Sequence, residues 1–289
     1  MPATPAEPRR KRVALVIGAG SVKCAAALGV QQVLEREGIP IDLLVGCSAG
    51  SLFAARLARG ESAASAIDIT RRLWTKELTS RSDRRALAAL AFPRLFGFDS
   101  RFGMRDDRLI GERLADAYGE QRIEGGRVPL FITATDFATG EQVTASSGRV
   151  VDAIRASIAI PFVFRPWPIG ERLCVDGFLS DPMPVGVAIR EGADIVVAVG
   201  FESPYQERVT SAGRFAFQVS SIMTNNLLKA SFAFHQLAHH DEIVAIVPKF
   251  RERVRLFDTG KIDMIVEDGA RAAEEQVPYL RRLMASHGG

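Results

Sequence analysis

Histidine and cysteine are both scarce in this chain of 289 residues, which has four histidines and three cysteines. Three cysteines, an odd number, favour reduced thiols in a cytosolic protein over a disulfide framework. His235 and His239 are spaced as a helical metal pair would be, but no H-E-x-x-H pattern accompanies them. We therefore expect no metal and no cofactor.

Long apolar runs and strong net charge are also missing. The Pro/Ala-rich, then basic, residues 1–11 predict a disordered tail, and the apolar run after them is too short for a signal peptide or a membrane helix. The net charge is only +3, and no nucleic-acid reader motif is present, so we expect no nucleic-acid partner. These features predict a cytoplasmic protein, with any membrane contact peripheral to the inner surface.

One short motif stands out against this background. A G-x-S-x-G pattern occurs at Gly46-Cys47-Ser48-Ala49-Gly50. It follows the apolar run 41–45 and precedes a helical pattern, and this strand-turn-helix setting is typical of a nucleophile elbow. The elbow would expose the Ser48 hydroxyl at a strained turn, and the backbone N–H of Ala49 would favour a nearby oxyanion. A tight turn that merely requires small residues is the structural alternative.

A second small-residue loop lies about one βα unit upstream. The strand-like run 12–17 leads into Gly18-Ala19-Gly20-Ser21, and residues 23–37 read as a helix. A dinucleotide fingerprint would need a third glycine where Lys23 stands. Free N–H groups at a helix start also suit an oxyanion hole, which is the better use beside an elbow.

An acidic residue completes the set. The short strand-like run 172–176 ends in Asp176, and Gly177 follows it. Open α/β sheets place their sites at the carboxyl ends of strands, so Asp176 is a candidate for chemistry. An ordinary Asp-Gly turn is the alternative.

Three stretches resemble the patatin-like phospholipase family of serine lipid acyl hydrolases: the small-residue loop with its basic residue (18–23), the elbow (46–50), and the serine-to-proline block 157–161 that leads to Asp176 and Gly177. Their order and spacing match over roughly residues 12–200. The resemblance implies a three-layer α/β/α fold and a Ser-Asp dyad without histidine. It assigns the nucleophile to Ser48, the base to Asp176, and the oxyanion loop to Gly18, Gly20, Ser21 and the basic Lys23. Two residues depart from the family pattern: Cys24 replaces a usual glycine, and Phe178 replaces a usual small residue after Asp-Gly.

The histidines leave one alternative open. All four, namely His235, His239, His240 and His287, follow Asp176. A triad in the chain order serine, acid, histidine is therefore formally allowed.

Strand-like and helical patterns alternate along the chain, which predicts a mostly parallel sheet covered on both faces. The strand-like runs are 12–17, 41–45, 129–135, 172–176, 194–200 and 242–247. Residues 215–234 and 258–283 predict amphipathic helices. We expect a single domain over 12–289.

Arginines crowd one segment, and residues 79–108 form a candidate lid insertion. Leucine and phenylalanine lie among these arginines, and Pro93 and Gly97 interrupt the segment. Such a pattern favours an interfacial lid on anionic lipid, and a solvated insertion is the alternative.

Together these patterns predict a serine acyl hydrolase that cleaves esters of lipids or lysolipids through an acyl-enzyme. An acyltransferase or thioesterase on the same dyad, and a scaffold protein that has lost turnover, stay open as alternatives. The sequence leaves the oligomeric state open.

Overall fold

The computed structural model describes residues 10–79, 83–203, 205, 208–210, 212–238 and 243–285. Most of the predicted tail, residues 1–9, therefore lies outside the described residues. Its last two residues are held in place: Arg10 forms an ion pair with Asp42 at 2.5 Å, and the ammonium of Lys11 donates to the Leu283 carbonyl at 2.8 Å.

An eight-stranded sheet forms the centre of the described part of the chain. Its strands are β1 (Val13–Ile17), β2 (Leu43–Cys47), β3 (Leu130–Asp136), β4 (Gln142–Ala145), β5 (Trp167–Ile169), β6 (Arg172–Asp176), β7 (Ile195–Val199) and β8 (Ile243–Ile246). The order across the sheet is β5-β6-β3-β2-β1-β7-β8, and β4 pairs with β3. The strands from β3 to β8 along this order are parallel, whereas β4, β5 and β6 join by antiparallel pairing.

Eleven α-helices accompany the described sheet. They are α1 (Ala26–Arg36), α2 (Gly50–Ala58), α3 (Ala63–Leu73), α4 (Arg84–Ala91), α5 (Pro93–Phe96), α6 (Arg108–Tyr118), α7 (Val150–Ser157), α8 (Val185–Arg190), α9 (Ala212–Ala238), α10 (Ile262–Glu274) and α11 (Val277–Ala285). The predicted helix over 258–283 is thus divided in two, and Pro278 in the first turn of α11 marks the restart, because proline cannot continue a helix from within.

Both faces of the sheet are buried, as alternation along β1 shows. Val13, Leu15 and Ile17 belong to a large apolar cluster shared with α1, α2 and α10. Ala14 and Val16 belong to a second cluster on the other face, shared with α8 and α9. Since side chains alternate across a strand, helices cover both faces. The three-layer α/β/α prediction is confirmed.

Candidate active site

Ser48 occupies the turn between β2 and α2 and has a φ of 53°, a left-handed conformation that is uncommon for a residue other than glycine. The flanking glycines permit this turn. A Cβ on Gly50 would lie 2.3 Å from the carbonyl oxygen of Ile17, and a Cβ on Gly46 would lie 2.6 Å from the Cα of Ser51. The strained turn therefore depends on two close backbone approaches that any side chain would block.

Ser157, at the end of α7, is hydrogen-bonded to the elbow. Its hydroxyl accepts a hydrogen bond from the backbone N–H of Ser48 at 2.8 Å and donates to the carbonyl of Thr133 at 2.6 Å. The side chain is fully buried. Ser51 adds a further contact, because its hydroxyl donates to the Ser48 carbonyl at 2.6 Å. The sequence analysis included Ser157 in a block that resembles the family but predicted no role for it at the elbow.

Strand β3 brings Ser48 and Asp176 together although 128 positions separate them. Its consecutive residues Thr133 and Ala134 pair with Cys47 and with Asp176. The Ser48 hydroxyl donates to Oδ2 of Asp176 at 2.8 Å. A serine hydroxyl bonded to a carboxylate in this way can lose its proton to it.

The Asp176 carboxyl group is completely buried, and burial raises its pKa from the ordinary 3.8 to about 7. Two hydrogen bonds act in the opposite direction. The backbone N–H of Phe178 donates to Oδ1 at 3.1 Å, and the Ser48 hydroxyl donates to Oδ2. Gly177 allows this packing, because a Cβ there would lie 2.6 Å from the Thr133 carbonyl oxygen. The resulting carboxylate is a stronger base than an exposed one.

Some backbone N–H groups near Ser48 already donate hydrogen bonds within the protein, and others do not. In the loop of residues 18–21, called the glycine loop here, the N–H of Gly18 donates to Val199 and that of Ala19 donates to Pro182. The N–H groups of Gly20, Ser21 and Ala49 have no acceptor among the described residues. They are the three candidates for an oxyanion hole. Gly18 and Gly20 contribute through close approach: a Cβ on Gly20 would lie 2.4 Å from the Phe201 ring.

The side chains of Ser21 and Lys23 point to other partners than Ser48. The Ser21 hydroxyl donates to the Leu256 carbonyl and accepts from the Trp74 indole N–H at 3.2 Å. The ammonium of Lys23 donates to the Glu202 carbonyl at 2.9 Å and lies over the Phe250 ring. Burial lowers the pKa of Lys23. Both residues line the same pocket as Ser48, as part of its wall.

The two departures from the family pattern leave this geometry in place. The Cys24 thiol is buried and donates to the Gly18 carbonyl at 3.2 Å, on the supporting side of the glycine loop. Phe178 contacts Asp176 through its backbone N–H, which any residue except proline could supply. The ring of Phe178 adds to the pocket wall.

A mostly apolar pocket surrounds the Ser48–Asp176 pair. Apolar side chains of its wall include Trp74, Ile160, Phe178, Phe217 and Val254. No histidine is among the described residues that line it. His239, His240 and His287 lie outside the described residues, as does the side chain of His235, which belongs to α9.

Proteins of known sequence resemble much of the chain. An uncharacterized NTE family protein of Mycobacterium tuberculosis is 34% identical over 188 residues, which are 65% of this chain and 48% of that protein. Patatin-like phospholipase domain-containing protein 7 of Rattus norvegicus is 27% identical over 203 residues, 70% of this chain and 14% of that protein. The chain thus matches about half the length of the mycobacterial relative.

Two solved structures align with most of this chain at low sequence identity. VipD from Legionella pneumophila aligns with 97% of this chain and 67% of its own, at a TM-score of 0.49 and 15% identity. ExoU from Pseudomonas aeruginosa, solved with SpcU, aligns with 96% of this chain and 54% of that chain, at a TM-score of 0.48 and 17% identity.

The model of the patatin-like phospholipase family matches residues 15–189. This match covers the glycine loop, the elbow and Asp176, and the chain belongs to the patatin-like phospholipase family.

Proposed function

We propose that this protein is a serine acyl hydrolase that cleaves carboxylic esters of lipids or lysolipids through a Ser48–Asp176 dyad. The observation that supports this most is the 2.8 Å hydrogen bond from the Ser48 hydroxyl to a fully buried Asp176 carboxylate. Membership of the patatin-like phospholipase family adds support, because it favours a lipid ester as the substrate.

The first half of the reaction forms an acyl-enzyme. Asp176 accepts the Ser48 proton while Oγ of Ser48 attacks the ester carbonyl carbon. The N–H groups of Gly20, Ser21 and Ala49, which have no acceptor among the described residues, would stabilise the developing oxyanion. The tetrahedral intermediate then collapses, the bond to the alcohol oxygen breaks, and Asp176 gives its proton to the leaving alcohol.

The second half releases the acid. Asp176 takes a proton from water, which attacks the acyl-enzyme, and the proton returns to Ser48 when the carboxylic acid departs. An alcohol or thiol in place of water would make the protein an acyltransferase. Turnover of an ester panel with and without added acceptors tests this alternative, because transfer would yield a new ester or thioester rather than the free acid.

Activity should depend on pH through Asp176. Only its carboxylate form can accept the Ser48 proton, and burial raises its pKa to about 7. We therefore expect kcat/KM for a water-soluble ester to rise with pH and to level off above a midpoint near this pKa. An aspartate of ordinary pKa would already be fully active above about pH 5.

A histidine base would give a similar midpoint, so a control variant is needed. The double substitution of His235 and His239 by alanine should leave the midpoint unchanged if Asp176 is the base. A profile that is flat from about pH 5 to 8, where an aspartate of raised pKa would titrate, would contradict this assignment. So would a midpoint that disappears in the histidine variant.

We further propose that the candidate lid insertion contacts an anionic membrane. Phe92, Phe96 and Phe98 are 63%, 51% and 47% exposed, and Leu95 is 79% exposed. The segment is tied to the body, because Met104 and Arg105 donate backbone hydrogen bonds to the carbonyls of residues 162 and 163. Exposed aromatics among arginines suit the interface between headgroups and acyl chains. Among the described helices, not one has the length and apolar character to cross a membrane.

The arginines of this segment provide the test. Arg85, Arg94 and Arg101 are exposed, and each arginine near an anionic surface contributes about 1 kcal/mol to binding. Their replacement by glutamine should weaken binding to anionic vesicles, and the effect should shrink as salt rises. Hydrolysis of a monomeric, water-soluble ester should change little. Sedimentation with vesicles measures binding, and wild-type binding that is absent or insensitive to salt would contradict the proposal.

A further inference from the structure

A basic surface groove opens beside the pocket that holds Ser48. Its charged lining residues are four cations and two acids, namely Lys76, Arg253, Arg255, Lys261, Glu77 and Asp258. Arg255 also lines the pocket around Ser48 and Asp176. The groove and the pocket therefore meet at this arginine.

The charged groups of the groove differ in whether they already have partners within the protein. The Glu77 carboxylate is paired with Arg113, and Oδ2 of Asp258 accepts the backbone N–H of Arg255 at 3.0 Å. Lys261 is paired with Glu252 at 2.7 Å. Within the described part of the chain, the exposed guanidinium of Arg255 has neither an ion-pair partner nor a hydrogen-bond acceptor. The N–H donors of the Arg255 guanidinium are therefore available to a ligand at the pocket entrance.

The backbone around Arg255 is firmly anchored to the site. Val254 is buried in the core, and the Leu256 carbonyl accepts hydrogen bonds from the Trp74 indole at 2.9 Å and from the Ser21 hydroxyl. The Phe257 ring stacks on Trp74 with 5.6 Å between ring centroids. The main chain at Arg255 is thus attached to the glycine loop. This attachment fixes where the Arg255 side chain leaves the main chain, at the wall of the pocket.

We propose that Arg255 and the groove form an anion subsite for phosphate. The pocket then prefers acyl esters whose alcohol part carries a phosphate, such as a monoacyl glycerophosphate, over uncharged esters of the same acyl chain. A guanidinium presents a planar set of donors that matches phosphate oxygens, and the other cations of the groove add to the positive potential. The apolar wall receives the acyl chain while the phosphate, a few bonds from the ester, reaches the groove. This inference rests on the proposed function, since it assigns the leaving part of the ester.

The test compares two soluble short-chain substrates, a monoacyl glycerol 3-phosphate and the monoacylglycerol with the same acyl chain. The measured quantity is the ratio of their kcat/KM values. Arg255→Gln should lower this ratio about tenfold, since a charge-assisted hydrogen bond to phosphate is lost. Arg255→Lys should retain part of the preference, and rising salt should reduce it. Arg122→Gln, an exposed arginine outside both cavities, should keep the wild-type ratio. An unchanged ratio in Arg255→Gln would overturn the proposal.

Two further experiments distinguish a lipid headgroup from a free phosphate, and the anion subsite from the hydrolase assignment. If glycerol 3-phosphate and inorganic phosphate inhibit while the wild-type ratio shows no preference, the groove binds a free anion and the headgroup assignment is wrong. Equilibrium binding of both lipids to Ser48→Ala tests the subsite without turnover. Tighter binding of the phosphate-bearing lipid that is lost in Ser48→Ala with Arg255→Gln supports the subsite even if the hydrolase assignment fails. Equal binding of the two lipids would overturn it.

Discussion

Replacement of Ser48 by alanine is expected to lower ester hydrolysis by about 10⁴-fold or more, as in other enzymes that lose a nucleophilic serine. The substitution removes the oxygen that attacks the carbonyl carbon and leaves nothing to form an acyl-enzyme. Steady-state hydrolysis of a short-chain ester measures the loss. Ser146→Ala, which alters an exposed serine in the loop directly after β4, is the matched control and should keep wild-type activity.

The fold of Ser48→Ala should be intact. The backbone N–H of Ser48, which Ser157 accepts, is unchanged by the substitution, and the elbow glycines remain. Thermal unfolding followed by circular dichroism therefore accompanies the kinetic measurement. A folded Ser48→Ala that keeps more than trace activity would show that another residue is the nucleophile.

Substitution of Asp176 by asparagine should reduce turnover by a similar factor, about 10⁴-fold, because it preserves shape but removes the proton acceptor. The double variant with Ser48→Ala should be no less active than the weaker single variant, because residues that act as a unit are not additive. Asp181→Asn is a matched control. Burial raises the pKa of Asp181 as well, but its Oδ1 accepts from the backbone N–H of Met183.

The same substitution should increase stability at neutral and higher pH. The pKa of Asp176 is higher in the folded protein than in the unfolded chain, so the folded state binds more protons between the two values. Stability therefore falls as pH rises from about 4 to 7, as proton linkage requires. Asp176→Asn lacks this cost and should show a higher free energy of unfolding than the wild type at pH 8, with the difference shrinking towards pH 5. A carboxylate that is equally solvated in both states would show no such trend.

Local patterns were sufficient for most of the central sheet. The apolar runs that became β1, β2 and β7 are buried on both faces, and such strands read as continuous hydrophobic stretches. Strands β4 and β5 were missed, since they have four and three residues and join the sheet by antiparallel pairing. Short strands of this kind carry too few alternating positions to be recognised.

The candidate active site was only partly predictable from local sequence patterns. The elbow around Ser48 is a local motif, and it was predicted from strand, turn and helix signals. Its pairing with Asp176 came from the family resemblance, because no spacing rule links residues so far apart in sequence. Ser157 lies in a block that resembles the family, but its role was not predicted, since that role arises only where α7 approaches the elbow. The role of Arg255 was likewise not predictable from the sequence, because its position beside the pocket depends on tertiary contacts of Leu256 and Phe257 with Trp74.

Peptide mapping by mass spectrometry after treatment with a fluorophosphonate tests the dyad most directly. Such a probe reacts with an activated serine and leaves a stable adduct on its oxygen, so the labelled residue is the nucleophile. We expect one adduct, on Ser48, which forms in the wild type and in Asp181→Asn but only very slowly in Asp176→Asn. An adduct on a different residue, or none on Ser48 in the folded wild-type protein, would contradict the assignment of Ser48 and Asp176 as the catalytic pair.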